Sequence, residues 1–144
     1  MKIVTAVSAS IIFMCSANAY AGNCGAEYKD ENISTIADSL AIKALQDHRD
    51  EFKSPAPKQN KKMPWTLSTQ EDIREFVDDI LSKKKKATRD GQTKLNVTSK
   101  ELSKNRIAFW ENETGTFVVY DPDNNACGTA HRPDNGKKDY DEAT

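Results

Sequence analysis

A chain of 144 residues is one domain by size. Its formal net charge of −1, in a sequence that is 30% charged, excludes nucleic-acid wrapping driven by bulk positive charge and leaves only a local basic patch for such a role.

The first residues read as an export signal. Lys2 gives a basic start, Ile3–Met14 is apolar, and Ala17-Asn18-Ala19 and Ala19-Tyr20-Ala21 both offer a small-x-small cleavage pattern. Such a run is too short to span a bilayer as a stable helix, so residues 1–21 are expected to be a cleaved signal and no membrane span is expected afterwards. Residues 22–144 then form a single exported domain, periplasmic or secreted. Cys15 leaves with the signal, and the remaining cysteines, Cys24 and Cys127, read as one disulfide in an oxidising compartment.

Asn32–Phe52 has helical periodicity. Ile33, Ile36, Leu40, Ala44 and Leu45 share one face, and His48 and Phe52 continue the stripe. Ser54–Pro64, with its prolines and lysines, reads as an exposed linker. Ser68–Leu81 is a second helix, with Ser68 and Glu71 as its capping box and Ile73, Phe76, Val77, Ile80 and Leu81 as its apolar stripe. The lysines Lys83–Lys86 suit the end of that helix, or alternatively a polyphosphate backbone.

Thr93–Thr98 alternates as a half-buried strand. Arg106–Trp110 and Thr116–Asp121 form a hairpin around Asn112 and Gly115, and Thr129–Arg132 is a last strand before a polar tail, Asp134–Thr144. Helices first and an antiparallel meander second give an α+β fold, with N-terminal helices packed on a small sheet.

The last strand gathers a hydroxyl, an imidazole and a guanidinium in Thr129, His131 and Arg132. Metal-free RNA cleavage needs a base for the 2′-hydroxyl, an acid for the departing 5′-oxygen, and donors or cations against the phosphate. Histidine serves either proton role, and Arg132 offers a planar fork for phosphate oxygens. Trp110 and Tyr120 are candidates to stack on a base, and Lys137 joins them as a substrate-binding candidate. On a regular strand Thr129 and His131 share a face and Arg132 points away, so a bulge or the turn at Pro133 must bring the three together. No HExxH, CxxC, G-x-S-x-G or phosphate-binding Gly-rich loop is present, so no metal and no cofactor are expected.

The order Arg106…Trp110, Gly115-Thr116-Phe117-Val118-Val119, Asp121-Pro122, Gly128-Thr129-Ala130-His131-Arg132-Pro133, Gly136 and Tyr140 resembles the C-terminal nuclease domains of contact-dependent inhibition and other polymorphic toxins, in the barnase–EndoU–colicin–RelE-like group. The resemblance covers about residues 65–140. It implies helices followed by an antiparallel sheet, a metal-independent ribonuclease acting on RNA such as tRNA, and a cognate immunity protein. It also implies site residues at Thr129, His131 and Arg132, with His48 as a proton-transfer partner placed by geometry alone. The alternative from a different class is a non-catalytic periplasmic or secreted binding or inhibitor module. A general nucleic-acid binder fits the net charge least well.

Overall fold

The computed structural model describes residues 23–144, so the expected signal at 1–21 and Cys15 lie outside the described residues. Among the described residues three α-helices, α1 (Ile33–Asp47), α2 (Gln70–Leu81) and α3 (Lys137–Glu142), accompany four strands, β1 (Val97–Glu101), β2 (Ile107–Glu111), β3 (Thr116–Tyr120) and β4 (Gly128–His131). The strands form one antiparallel sheet in the order β1-β2-β3-β4, so β1 and β4 are its edges. The fold is α+β, with the N-terminal helices packed against this open sheet.

Strand alternation divides the core in two. On one face Phe109, Val118, Tyr120 and Ala130 meet Ile36, Leu40 and Ala44 of α1 and Phe76, Val77 and Ile80 of α2. On the other face Ala108, Trp110 and Phe117 are covered by Tyr140 of α3. The tail expected to be merely polar therefore folds back. Tyr140 is its anchor, edge-on to Phe117 at 6.2 Å, with the ammonium groups of Lys100 and Lys137 over its ring.

Several boundaries differ from expectation for identifiable reasons. Helix α1 stops at Asp47, and His48 (φ −132°) opens a short 3-10 turn, Arg49–Phe52. The cap of α2 is Thr69 with Asp72, not Ser68 with Glu71. Asp72 Oδ2 accepts the amides of Ser68 and Thr69, whereas Glu71 is taken by the Arg74 guanidinium. Leu95 is buried but sits in a loop, and β1 starts two residues later, where pairing with β2 becomes regular. Segment 54–64 is not a free linker: Met63 is 1% exposed, and carbonyls of this segment point inward to Arg132.

Cys24 and Cys127 are joined by a disulfide across a sequence separation of 103, with Cα atoms 4.5 Å apart. The Cys24 amide also donates to the Pro122 carbonyl at 3.1 Å, so the start of the described chain is tied to the β3–β4 connection. Gly128 follows at φ +125°, and a Cβ there would stand 1.8 Å from the Val119 carbonyl oxygen, so β4 can begin only on a glycine. Closing a loop this long restricts the unfolded chain by roughly 4–5 kcal/mol in the entropic treatment. We predict that replacing Cys24 and Cys127 by serine lowers unfolding free energy by about 2–5 kcal/mol, read from urea midpoints. Reductant should produce the same loss in the native protein and none in the double variant.

Candidate functional site

The C-terminal end of α1 meets edge strand β4, and there the chain's two histidines come together. The rings of His48 and His131 stack with centroids 5.1 Å apart and planes 27° from parallel. His48 is held by Glu51, whose Oε1 lies 2.9 Å from His48 Nδ1. That spacing follows from the 3-10 turn, which places Glu51 three residues on, with its amide donating to the His48 carbonyl. A carboxylate on Nδ1 fixes the ring and leaves Nε2 for other work.

His131 is half-buried between His48 and the edge of Phe117, whose ring centroid is 5.6 Å away. Its Nδ1 is enclosed and has no hydrogen-bond partner among the described residues. Burial pushes this imidazole below its ordinary value. The charge of His48 acts in the same direction, Glu51 and Asp139 oppose it, and Lys58 adds a smaller lowering.

Arg132 does not join this pair. Arg132 directly follows the last residue of β4, alternation carries its side chain to the opposite face, and the turn Pro133–Gly136 begins only after it. The guanidinium is fully buried. Nε donates to the Thr114 carbonyl at 2.9 Å, Nη1 to those of Glu51 at 2.7 Å and Ala56 at 2.5 Å, and Nη2 to that of Lys61 at 3.2 Å. The Arg132 amide donates to Glu51 Oε2 at 2.6 Å. Burial lowers the guanidinium's affinity for its proton and the Glu51 charge opposes this. The expected convergence of Thr129, His131 and Arg132 is therefore corrected: Arg132 is committed to backbone carbonyls and cannot grip a phosphate in this arrangement.

Thr129 shares the His131 face, opposite Val119 on β3, about 7 Å along the strand from His131. Tyr120 is 3% exposed and donates its hydroxyl to the Ala26 carbonyl at 2.8 Å, so it is a core residue and has no open face for a base. Trp110 is 2% exposed, with Nε1 enclosed and without a partner among the described residues, so it too lacks a face for stacking. It does line a cleft of about 190 Å³ together with Lys58, Lys61, Asn112, Asn135 and Lys137. Lys58 is ion-paired with Asp134 and Lys137 with Asp141. A shallower depression of about 350 Å³ is lined by Leu45–Glu51 and includes His48. His131 lines neither hollow.

Sequence reasoning missed Glu51. The signal was the His48-x-x-Glu51 spacing, which brings two side chains together on one turn of helix. Among the described residues no group of three or more His, Cys, Asp or Glu is placed to hold a metal ion. No helix there is long and apolar enough to cross a membrane. No family model, curated protein or solved structure matches this chain.

Replacing Arg132 by alanine strands the four carbonyls it serves and should cost about 3–5 kcal/mol of stability, measured by urea unfolding. Lysine should not restore it, because one ammonium cannot reproduce the fork. Stability should also follow His131. Its folded-state affinity for a proton is depressed, so its contribution is present in full above the unfolded value, about 6.5, and is lost as pH falls through the lower folded-state value. A His131→Asn variant should show a shallower loss of stability than the native protein over that range.

Proposed function

We propose that this protein is an exported, toxin-like, metal-independent ribonuclease that cleaves RNA through attack of a 2′-hydroxyl, with tRNA as the first substrate to test. The observation that carries the reading is the pair of stacked imidazoles, one oriented by a carboxylate and the other disfavouring its proton. Two such groups supply the base and the acid that the reaction needs. His131, favoured neutral by burial, takes the proton of the 2′-hydroxyl. The 2′-oxygen bonds to phosphorus, the bond from phosphorus to the 5′-oxygen breaks, and His48 delivers a proton to that leaving oxygen. The products are a 2′,3′-cyclic phosphate and a 5′-hydroxyl.

Glu51 positions His48 through Nδ1 and balances its charge in the protonated form. Arg132 is a positioning residue in this scheme: its amide and guanidinium bind Glu51, and it directly follows His131 in the chain. The cleft of Lys58, Lys61 and Lys137, which opens from the loop just after Arg132, suits the flanking phosphates. Thr129 lies on the same strand face as His131, within reach of an adjacent part of a substrate. The Cys24–Cys127 disulfide supports a periplasmic or secreted life, and a toxin of this kind would have a cognate immunity protein.

The test is incubation of the purified mature protein with tRNA and other RNAs in EDTA. Cleavage leaving cyclic phosphate ends is expected. His48→Ala and His131→Ala should each lower the rate by about 100-fold, within the range general acid–base catalysis supplies. The rate should be bell-shaped in pH, with its acidic limb below about 6.5 because the base disfavours its proton. Cleavage undiminished in both variants would remove the pair from the reaction. Failure to cleave any RNA would favour the binding or inhibitor module instead, to which the buried Arg132 and enclosed aromatics lend support.

A further inference from the structure

The loop between α2 and β1 holds a cluster of charge that the histidine site does not use. Lys83, Lys85, Lys86 and Lys94 are all exposed, and none has an ion-pair or hydrogen-bond partner for its ammonium among the described residues. Three nearby carboxylates are engaged elsewhere. Asp79, 1% exposed, accepts the amide and hydroxyl of Thr88 and pairs with Lys84 at 2.9 Å. Asp90 accepts the amides of Gln92 and Thr93, the Thr93 hydroxyl and the Trp65 indole N–H. Asp72 holds Arg89 at 2.8 Å. Three acids thus fix the loop from within, and none of them pairs with Lys83, Lys85, Lys86 or Lys94.

Loop geometry concentrates the charge further. Lys86 and Lys94 face each other across an antiparallel bridge. The hydrogen bonds flank that pair, Ala87 amide to Thr93 carbonyl and Leu95 amide to Lys85 carbonyl, each 2.9 Å. This is the non-hydrogen-bonded type of pair, in which Cα atoms stand only about 4.5 Å apart and side chains are closest. The neighbours Ala87 and Leu95 are buried, so alternation turns both lysines outward on one face. Like charges directly opposite one another destabilise a strand pair, and among the described residues neither ammonium has an ion-pair partner.

We propose that loop 83–94 is a docking platform for a nucleic-acid phosphate backbone, distinct from the histidine pair. Lysines act as point charges rather than bidentate forks, which suits sequence-independent contact with phosphates. A membrane surface would call for apolar side chains to insert, and Ile42 on α1 is the exposed large hydrophobic residue of the described chain. A protein partner would call for aromatic or arginine anchors, and the four lysines provide neither. The loop feeds β1, the edge opposite β4. Three strand spacings of about 4.8 Å separate those edges, so an occupant reaching both places is a polymer and not a mononucleotide. The proposal rests on charge layout alone, and it fails separately from the chemistry assigned to His48 and His131.

The probe is a labelled oligodeoxythymidylate, which lacks the 2′-hydroxyl and so cannot be cut by the proposed route. Anisotropy titrations across a salt series should show binding that weakens linearly in log salt. Changing Lys83, Lys85, Lys86 and Lys94 together to glutamine should reduce the slope by about 3, from roughly 0.7 per phosphate contact on a single strand, and weaken low-salt binding at least about tenfold. Lys94→Gln alone should remove about 0.7 of slope. Absence of binding by the native protein, or an unchanged slope in a quadruple variant that melts like the native protein, overturns the proposal. Binding to phosphatidylglycerol vesicles without binding to the oligonucleotide also overturns it, in favour of a lipid surface.

Discussion

The buried guanidinium of Arg132 is the constraint on which the rest of this structure hangs. Removing such a group from water is costly, and the cost is offset only if every polar partner is supplied with good geometry. Here the partners come from three separate stretches of chain: the turn after α1 gives the Glu51 carbonyl and carboxylate, segment 54–64 gives two carbonyls, and the β2–β3 turn gives Thr114. The Thr114 turn is itself fixed by Glu111, a fully buried carboxylate that accepts the Thr114 amide and hydroxyl along with the amides of Asn96 and Glu113. A continuous polar string therefore runs Glu111–Thr114–Arg132–Glu51–His48. It locks the end of α1 onto β4, and the stacking of the two histidines follows from that lock.

The same string holds the candidate site in place through a chain of hydrogen bonds. His48 is oriented from behind by Glu51, and Glu51 is itself held by the Arg132 amide and by Arg132 Nη1 on its carbonyl. His131 sits next to Arg132 in the chain and is flanked by Phe117, which Tyr140 of α3 covers in turn. Preorganisation of this kind suits proton transfer, where groups must be held in place before the reacting bond arrives. The lysine-rich loop on the far edge is separately braced by Asp79 and Asp90, so that loop and the histidine pair are held by different bonds.

Local pattern made much of the fold legible. The stripe Ile33–Ala44, the apolar face of α2 and the β2–β3 hairpin each announce themselves through period and turn chemistry, and they lie within a few residues of where the sequence puts them. The pairing of Cys24 with Cys127 is readable from the cysteine count together with the expected export signal. Strand alternation even warned that Arg132 faces away from Thr129 and His131. Legibility ended where long-range bonds decide. The break at His48 carries no proline or glycine; the turn that follows exposes a Glu51 carbonyl that Arg132 captures from 81 positions away. Whether Trp110 and Tyr120 are surface platforms or core residues depends on what covers their faces, and a strand reads alike in both cases. The last helix was invisible because a single buried tyrosine, not an apolar stripe, holds it down.

The Arg132–Glu51 lock sets His48 against His131, so that the His48 charge acts on the His131 imidazole. Titrating both imidazoles by NMR, in the native protein and in His48→Gln, tests it most directly. His131 is expected to titrate below the ordinary imidazole value in the native protein and to rise when His48 is replaced, since the His48 charge contributes to the lowering. A His131 titration at the ordinary value, or one that does not move in His48→Gln, would contradict it.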